Sequence, residues 1–209
     1  MARWHTPHRL AVSLWRRRDG VSALEFGFVA PILLLFVIGA FEVGNLMYAN
    51  AVLEGAAREA ARRGVTGFAP CNMTRQEYIE QVIDQQMIGF ANPDRRTISI
   101  MVYDAFSNIG EPEPFTDNPD FPNGRYDPGE EFTDINGNLQ WDPDMGAAGL
   151  GGPGAVVAYK VSYDVSLLTG FFTETLKLPS RMTMTATAAI RNEPIPVNPD
   201  GSLAVACDI

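Results

Sequence analysis

The feature that most constrains this chain is a run of sixteen residues without a charge, 26–41 (FGFVAPILLLFVIGAF), close behind a basic head. With residues 21–24 and 43–48 added, the apolar stretch reaches the ~20 residues a helix needs to cross a bilayer core. Residues 1–19 carry Arg3, Arg9, Arg16, Arg17 and Arg18 against Asp19 alone, and the next cation is Arg58. Cations gather on the cytoplasmic flank of a spanning helix. The N-terminus is therefore expected inside, with everything after about residue 48 outside the cytoplasmic membrane.

The remaining composition narrows the function classes. A chain of 209 residues, 46% apolar and 20% charged, has room for one sizeable domain beside a membrane element. A net charge of −9 argues against nucleic acid as a partner, because phosphate binding needs clustered Lys and Arg. The two histidines are His5 and His8, so the body of the chain has neither a histidine base nor a histidine metal ligand. Carboxylate pairs such as Glu130 and Asp142 could in principle serve a glycosidase, but no motif supports one, and no enzyme is expected. Cys71 and Cys207 are too few for a zinc site and enough for one bridge. Outside the cytoplasm a Cys71–Cys207 disulfide is permitted, the alternatives being separate thiols or an intermolecular bond.

Three readings compete for residues 1–50. One is a plain single-pass anchor. Another is a secretory signal peptide, with Ala49-Asn50-Ala51 as an A-x-A-like cleavage site, although the apolar region is long for that role and Glu42 with several more residues falls between it and the cut. The third starts from Glu25, at the edge of the apolar run, where a lone carboxylate is costly. Cutting the chain after Gly20 would create an α-amino group on Val21, one helical turn away at i and i+4, able to pair with that carboxylate here or on a neighbouring subunit.

Gly20-Val21-Ser22-Ala23-Leu24-Glu25-Phe26 resembles the prepilin-peptidase motif of type IV pilins, glycine and four residues before glutamate. The Glu-Phe ending, the Ala30-Pro31 step and the Leu/Ile run resemble the TadE-like pseudopilins of tight-adherence (Flp, type IVb) pilus assembly. Glu42, residues 48–52 (YANAV), residues 56–62 (AAREAAR) and Arg191-Asn192-Glu193-Pro194 are similar to further parts of that family. The resemblance implies a pilin-like α+β fold and a leader, 1–20, removed by prepilin peptidase. It assigns Gly20, Val21, Glu25 and Phe26 to processing. It also implies the membrane, pilins and other pilus assembly subunits as partners, and no required cofactor. Major pilins often end soon after the helix; the long continuation here points to a minor component.

Beyond the membrane, alanines and the i,i+4 pairs Glu54–Arg58 and Glu59–Arg63 favour one helix over 21–63, stopped by Gly64 and Gly67. Pro31 is expected to kink it. Its small residues, Gly39, Ala40, Gly44 and the alanines, suit either subunit packing or packing on the protein's own sheet. Residues 64–209 are expected to form the outer domain. Thr74-Arg75-Gln76-Glu77 has capping-box form and predicts a helix to about Met87. Alternation and β-branching predict strands at 97–103, 155–165 and 182–190, making a small antiparallel sheet.

Residues 111–144 hold ten acids against one base, Arg125. Asn123-Gly124-Arg125-Tyr126-Asp127-Pro128 is echoed by Asn138-Leu139-Gln140-Trp141-Asp142-Pro143. Asp127, Glu130, Asp134, Asn136, Asn138 and Asp142 offer oxygen ligands at spacings that calcium loops use. Leu139 and Met145 stand where the EF-hand template needs Gly and a bidentate Glu, so only a looser calcium loop is expected. The alternatives are a solvated acidic loop or a surface for a basic partner. Tyr126, Phe132 and Trp141 predict that the segment folds.

Overall fold

The computed structural model describes residues 20–90 and 92–194. Helix α1, Val21–Gly64, runs unbroken with Pro31 in its interior. At ~1.5 Å per residue it is about 65 Å long. Helix α2, Arg75–Gln86, opens on the expected capping box: the Thr74 side chain accepts from the Glu77 amide, and the Glu77 carboxylate accepts from the Thr74 amide at 2.7 Å. Four strands follow: β1 Arg96–Tyr103, β2 Ala147–Ala148, β3 Val156–Ser166 and β4 Arg181–Arg191. A one-and-a-half-turn helix, α3 Phe171–Leu176, lies in the β3–β4 connection.

The sheet is antiparallel in the order β2-β1-β3-β4, so β3 is central. Arg96 to Tyr103 pair with Tyr163 to Val156, and Val156 to Ser166 pair with Arg191 to Arg181. Because side chains alternate along a strand, β3 serves two cores. Val157, Tyr159, Val161, Tyr163 and Val165 face α1 and α2, where they meet Ala49, Leu53, Ala56, Ala60, Ile79 and Ile83. Val156 and Ala158 point to the other face and pack with Tyr103, Met101, Ile109 and Met145. On β4, Ala186 is buried towards α1, whereas Thr183 and Thr185 bond across to Asp164 and Ser162.

The end of α1 fits the sheet closely. A Cβ added to Gly64 would lie 1.9 Å from the Tyr159 hydroxyl, so only glycine allows the helix to finish there. The α+β architecture expected from the sequence is the one observed. The small-residue question resolves for the alanines: Ala49, Ala56, Ala57, Ala60 and Ala61 are buried within the protein's own domain.

Candidate functional site

Helix α1 changes character along its length. In its first part Phe26, Phe28, Ile32 and Phe36 are all at least 60% exposed. Its most apolar 18-residue window has a mean hydropathy of 2.4, and none of that window is buried in the protein. Such a surface is stable only in an apolar medium; this half of the helix is the membrane-anchoring element.

The processing residues expected from the sequence sit where the helix begins. Gly20 is its N-cap, without a side-chain capping bond, and the first helical residue is Val21. The Leu24 amide donates to the Gly20 carbonyl at 3.1 Å. Val21, Glu25 and Phe26 all lie on the exposed helix, with Val21 and Glu25 one turn apart. Residues 1–19 of the expected leader lie outside the described residues.

Where α1 meets the head, the structure supplies a contact the sequence did not announce. Glu42 is 4% exposed although it follows the apolar run directly. Its carboxylate accepts from the Leu168 amide at 2.9 Å, from the Thr169 amide at 2.7 Å and from the Thr169 hydroxyl at 2.8 Å. A buried carboxylate persists only with such donors, and here they come from the start of the β3–β4 connection. Glu42 thereby fixes that connection against the helix.

Further along, both expected ion pairs form: Arg58–Glu54 at 2.8 Å and Arg63–Glu59 at 2.7 Å, with Arg62 added on Glu59 at 2.7 Å. The two guanidinium groups draw the Glu59 carboxyl down to about 2. At the far end of the domain Asn192, 2% exposed, donates to the carbonyls of Leu150 and Gly152 and accepts from Arg75 at 3.4 Å. Arg75 also donates to the carbonyls of Gly64 and Gly151. This gives the Arg-Asn-Glu-Pro segment a physical role: Asn192 ties the end of β4 to the glycine-rich loop 149–154 (GLGGPG) and, through Arg75, to the end of α1. Cys71 is on the surface just before α2 and Cys207 lies outside the described residues.

The acidic insertion is a folded, internally duplicated unit. Phe115 and Phe132 form an antiparallel bridge, flanked by Thr116 N to Glu131 O and Thr133 N to Pro114 O, both at 2.8 Å. Tyr126 and Trp141, at equivalent places in the echo, stack with centroids 4.6 Å apart and planes at 11°. Each phenylalanine meets the other half's aromatic edge-on, Phe115 with Trp141 and Phe132 with Tyr126. The carboxylates are exchanged as well. Glu130 accepts from the amides of Asn118 and Asp127, whereas Glu113, fully buried, accepts from those of Ile135 and Asp142. The echo read as six residues thus extends to a local two-fold arrangement over 113–143.

The expected calcium ligands are only partly brought together. Asp134 accepts from the amides of Gly137, Asn138 and Leu139, while the Asn136 and Asn138 side chains both donate to Asp142. Asp127, in the other half, accepts from the Asn123 side chain while its own amide donates to Glu130. Leu139 has φ 65, the left-handed conformation for which the EF-hand template reserves glycine. Among the described residues no three carboxylates, thiols or imidazoles gather as a metal-holding group.

These features define a membrane-anchored chain in which one helix is lipid-facing at its start and carries an α+β head at its end. A family model described as TadE-like protein matches residues 20–62, so this helix bears the signature of the TadE-like family, as the motif around Gly20 implied. The match begins at the helix cap and ends two residues before the helix does, leaving the sheet and the acidic unit outside it. No curated protein and no solved structure matches the chain.

Proposed function

We propose that the protein is a minor pseudopilin-like component of a tight-adherence (Flp, type IVb) pilus assembly system, processed by prepilin peptidase after Gly20. The observation that carries this reading is a coincidence of boundaries. The TadE-like match starts at Gly20, the helix starts at Val21, and Glu25-Phe26 follow one turn on. Glycine at the scissile position leaves the backbone open to a membrane aspartic peptidase. The new amino group on Val21 then faces Glu25 along the same helix and sets subunit register. The chain crosses the cytoplasmic membrane once, N-terminus inside, and the head outside contacts pilins or other assembly subunits without catalysis. A Cys71–Cys207 disulfide belongs to the same reading, since the head would mature in an oxidising compartment.

N-terminal sequencing of the mature protein tests it. Val21 as first residue supports processing; Val52 would mean secretion, and Met1 or Ala2 a plain anchor. Replacing Glu25 by Ala should abolish pilus biogenesis while leaving the protein in the membrane.

A second reading keeps the anchor but makes the head an envelope protein whose acidic unit takes up calcium. The left-handed Leu139 within the Asp134–Asp142 loop favours it. Calcium titration of the full-length protein by calorimetry decides: absence of both heat and a melting-temperature shift ends the metal role.

A further inference from the structure

The β3–β4 connection, residues 167–180, together with Arg181 and Met182 at the start of β4, has an unusual setting for a surface segment. Its base is closed by the Leu167 amide donating to the Ser180 carbonyl at 3.2 Å, and Glu42 holds Leu168 and Thr169 against α1. Beyond these ties the connection and the start of β4 carry apolar side chains outward: Leu168 is 61% exposed, Leu178 47% and, on β4, Met182 44%. An apolar groove of about 690 Å³ separates Leu178, Pro179 and Met182 from Leu35, Phe36 and Gly39 of the helix. Leu35 precedes Glu42 by about 10 Å at ~1.5 Å per residue. The groove therefore extends back along the lipid-facing half of α1.

We propose that this connection is a second membrane-seated element, inserted into the leaflet on the head's side, with phospholipid acyl chains filling the groove. Three observations single out lipid as the occupant. The groove's helical wall is continuous with the exposed apolar surface of residues 21–41, which already requires an apolar medium. The groove's run of about 10 Å along the helix, from Leu35 to Glu42, is on the scale of the ~5–10 Å to which interfacial elements sink. Lys177 and Arg181 are exposed on either side of Leu178 and next to Met182, so their cations can rise to the phosphates while the stems stay among the chains. The head would then be pinned at two points, and its tilt on the membrane fixed.

The test uses the full-length protein in phosphatidylcholine–phosphatidylglycerol vesicles containing a phospholipid with an acyl-chain diazirine. After irradiation, adducts are mapped by peptide mass spectrometry. Adducts are expected in 167–182 as well as 21–48, and the double variant Leu178→Asn, Met182→Asn should lower the former several-fold while sparing the latter. Adducts confined to 21–48 would overturn the proposal, because a groove covered by protein in place of lipid leaves 167–182 unlabelled. Labelling of 21–48 reports membrane insertion separately, and N-terminal processing does not enter, so failure here leaves the pilus reading untouched.

Discussion

Residues 21–48 and 49–64 belong to one continuous helix, yet their side chains obey opposite rules. The first half presents most of its Phe, Leu, Ile and Val outward, with Leu34 57% exposed, whereas Glu42 and Leu46 near its end turn in to the head. The second buries Ala49, Leu53, Ala56, Ala57, Ala60 and Ala61 along one stripe at steps of three and four, while Arg58, Arg62 and Arg63 face water. Backbone propensity does not distinguish them; the medium does. Bulky side chains suit a partner that flows around them, and alanines suit a rigid sheet that must come close.

That contrast is open to direct attack. The largest effect is expected for Leu53→Ala, which opens a cavity in the helix–sheet core and should cost about 2–5 kcal/mol. Leu34→Ala in the exposed half should stay within about 0.5 kcal/mol, both read from thermal unfolding of the head in detergent micelles. Equal losses at the two sites would break the comparison. Next comes Gly64→Ala, where the new methyl collides with Tyr159 and should cost about 1–3 kcal/mol. Gly27→Ala, with nothing within 4 Å, should be neutral or slightly helix-favouring in the same melts.

The smallest effect is electrostatic. With its carboxyl drawn from 4.5 down to about 2, Glu59 stabilises the fold at neutral pH, and this contribution fades as pH falls from about 4.5 towards 2. The arginines are 67% and 48% exposed, so water and salt screen the pair and the gain is modest. Melting temperatures of the protein and its Glu59→Gln variant should differ at pH 6 and converge by about pH 2. A constant gap would mean that charge is not the cause.

Local signals were legible in the sequence wherever they were periodic. The predicted strands at 97–103, 155–165 and 182–190 agree with the observed ones to within a residue or so, because side-chain alternation there is enforced by a buried face. The Thr74 capping box and the Glu54 and Glu59 pairs were equally readable, being complete within one turn. What stayed hidden was long-range or too short to have a period. Two alanines make β2, and nothing in two residues announces a strand. The amides that receive Glu42 lie at 168 and 169, far along the chain, so its place just past the apolar run gives no local sign of a joint. Glu113 reads as one acid among ten, yet it is fully buried and organises the loop around 134–142. Strand order gave no local signature at all.

The duplicated acidic unit has a further consequence through the way it leaves and rejoins the domain. Met145 N bonds Glu111 O at 2.9 Å, and Glu113 N bonds Asp142 O at 3.0 Å, so the excursion begins and ends at the same spot. The sheet therefore experiences a narrow neck, not a thirty-odd-residue tether, and the entropy of closing that length is met inside the excursion. Exchanging 113–142 for a short turn, with Asp144 and Met145 kept for their contacts with Tyr103, is therefore expected to leave β1 and β3 in register, so variation in this unit need not disturb the core.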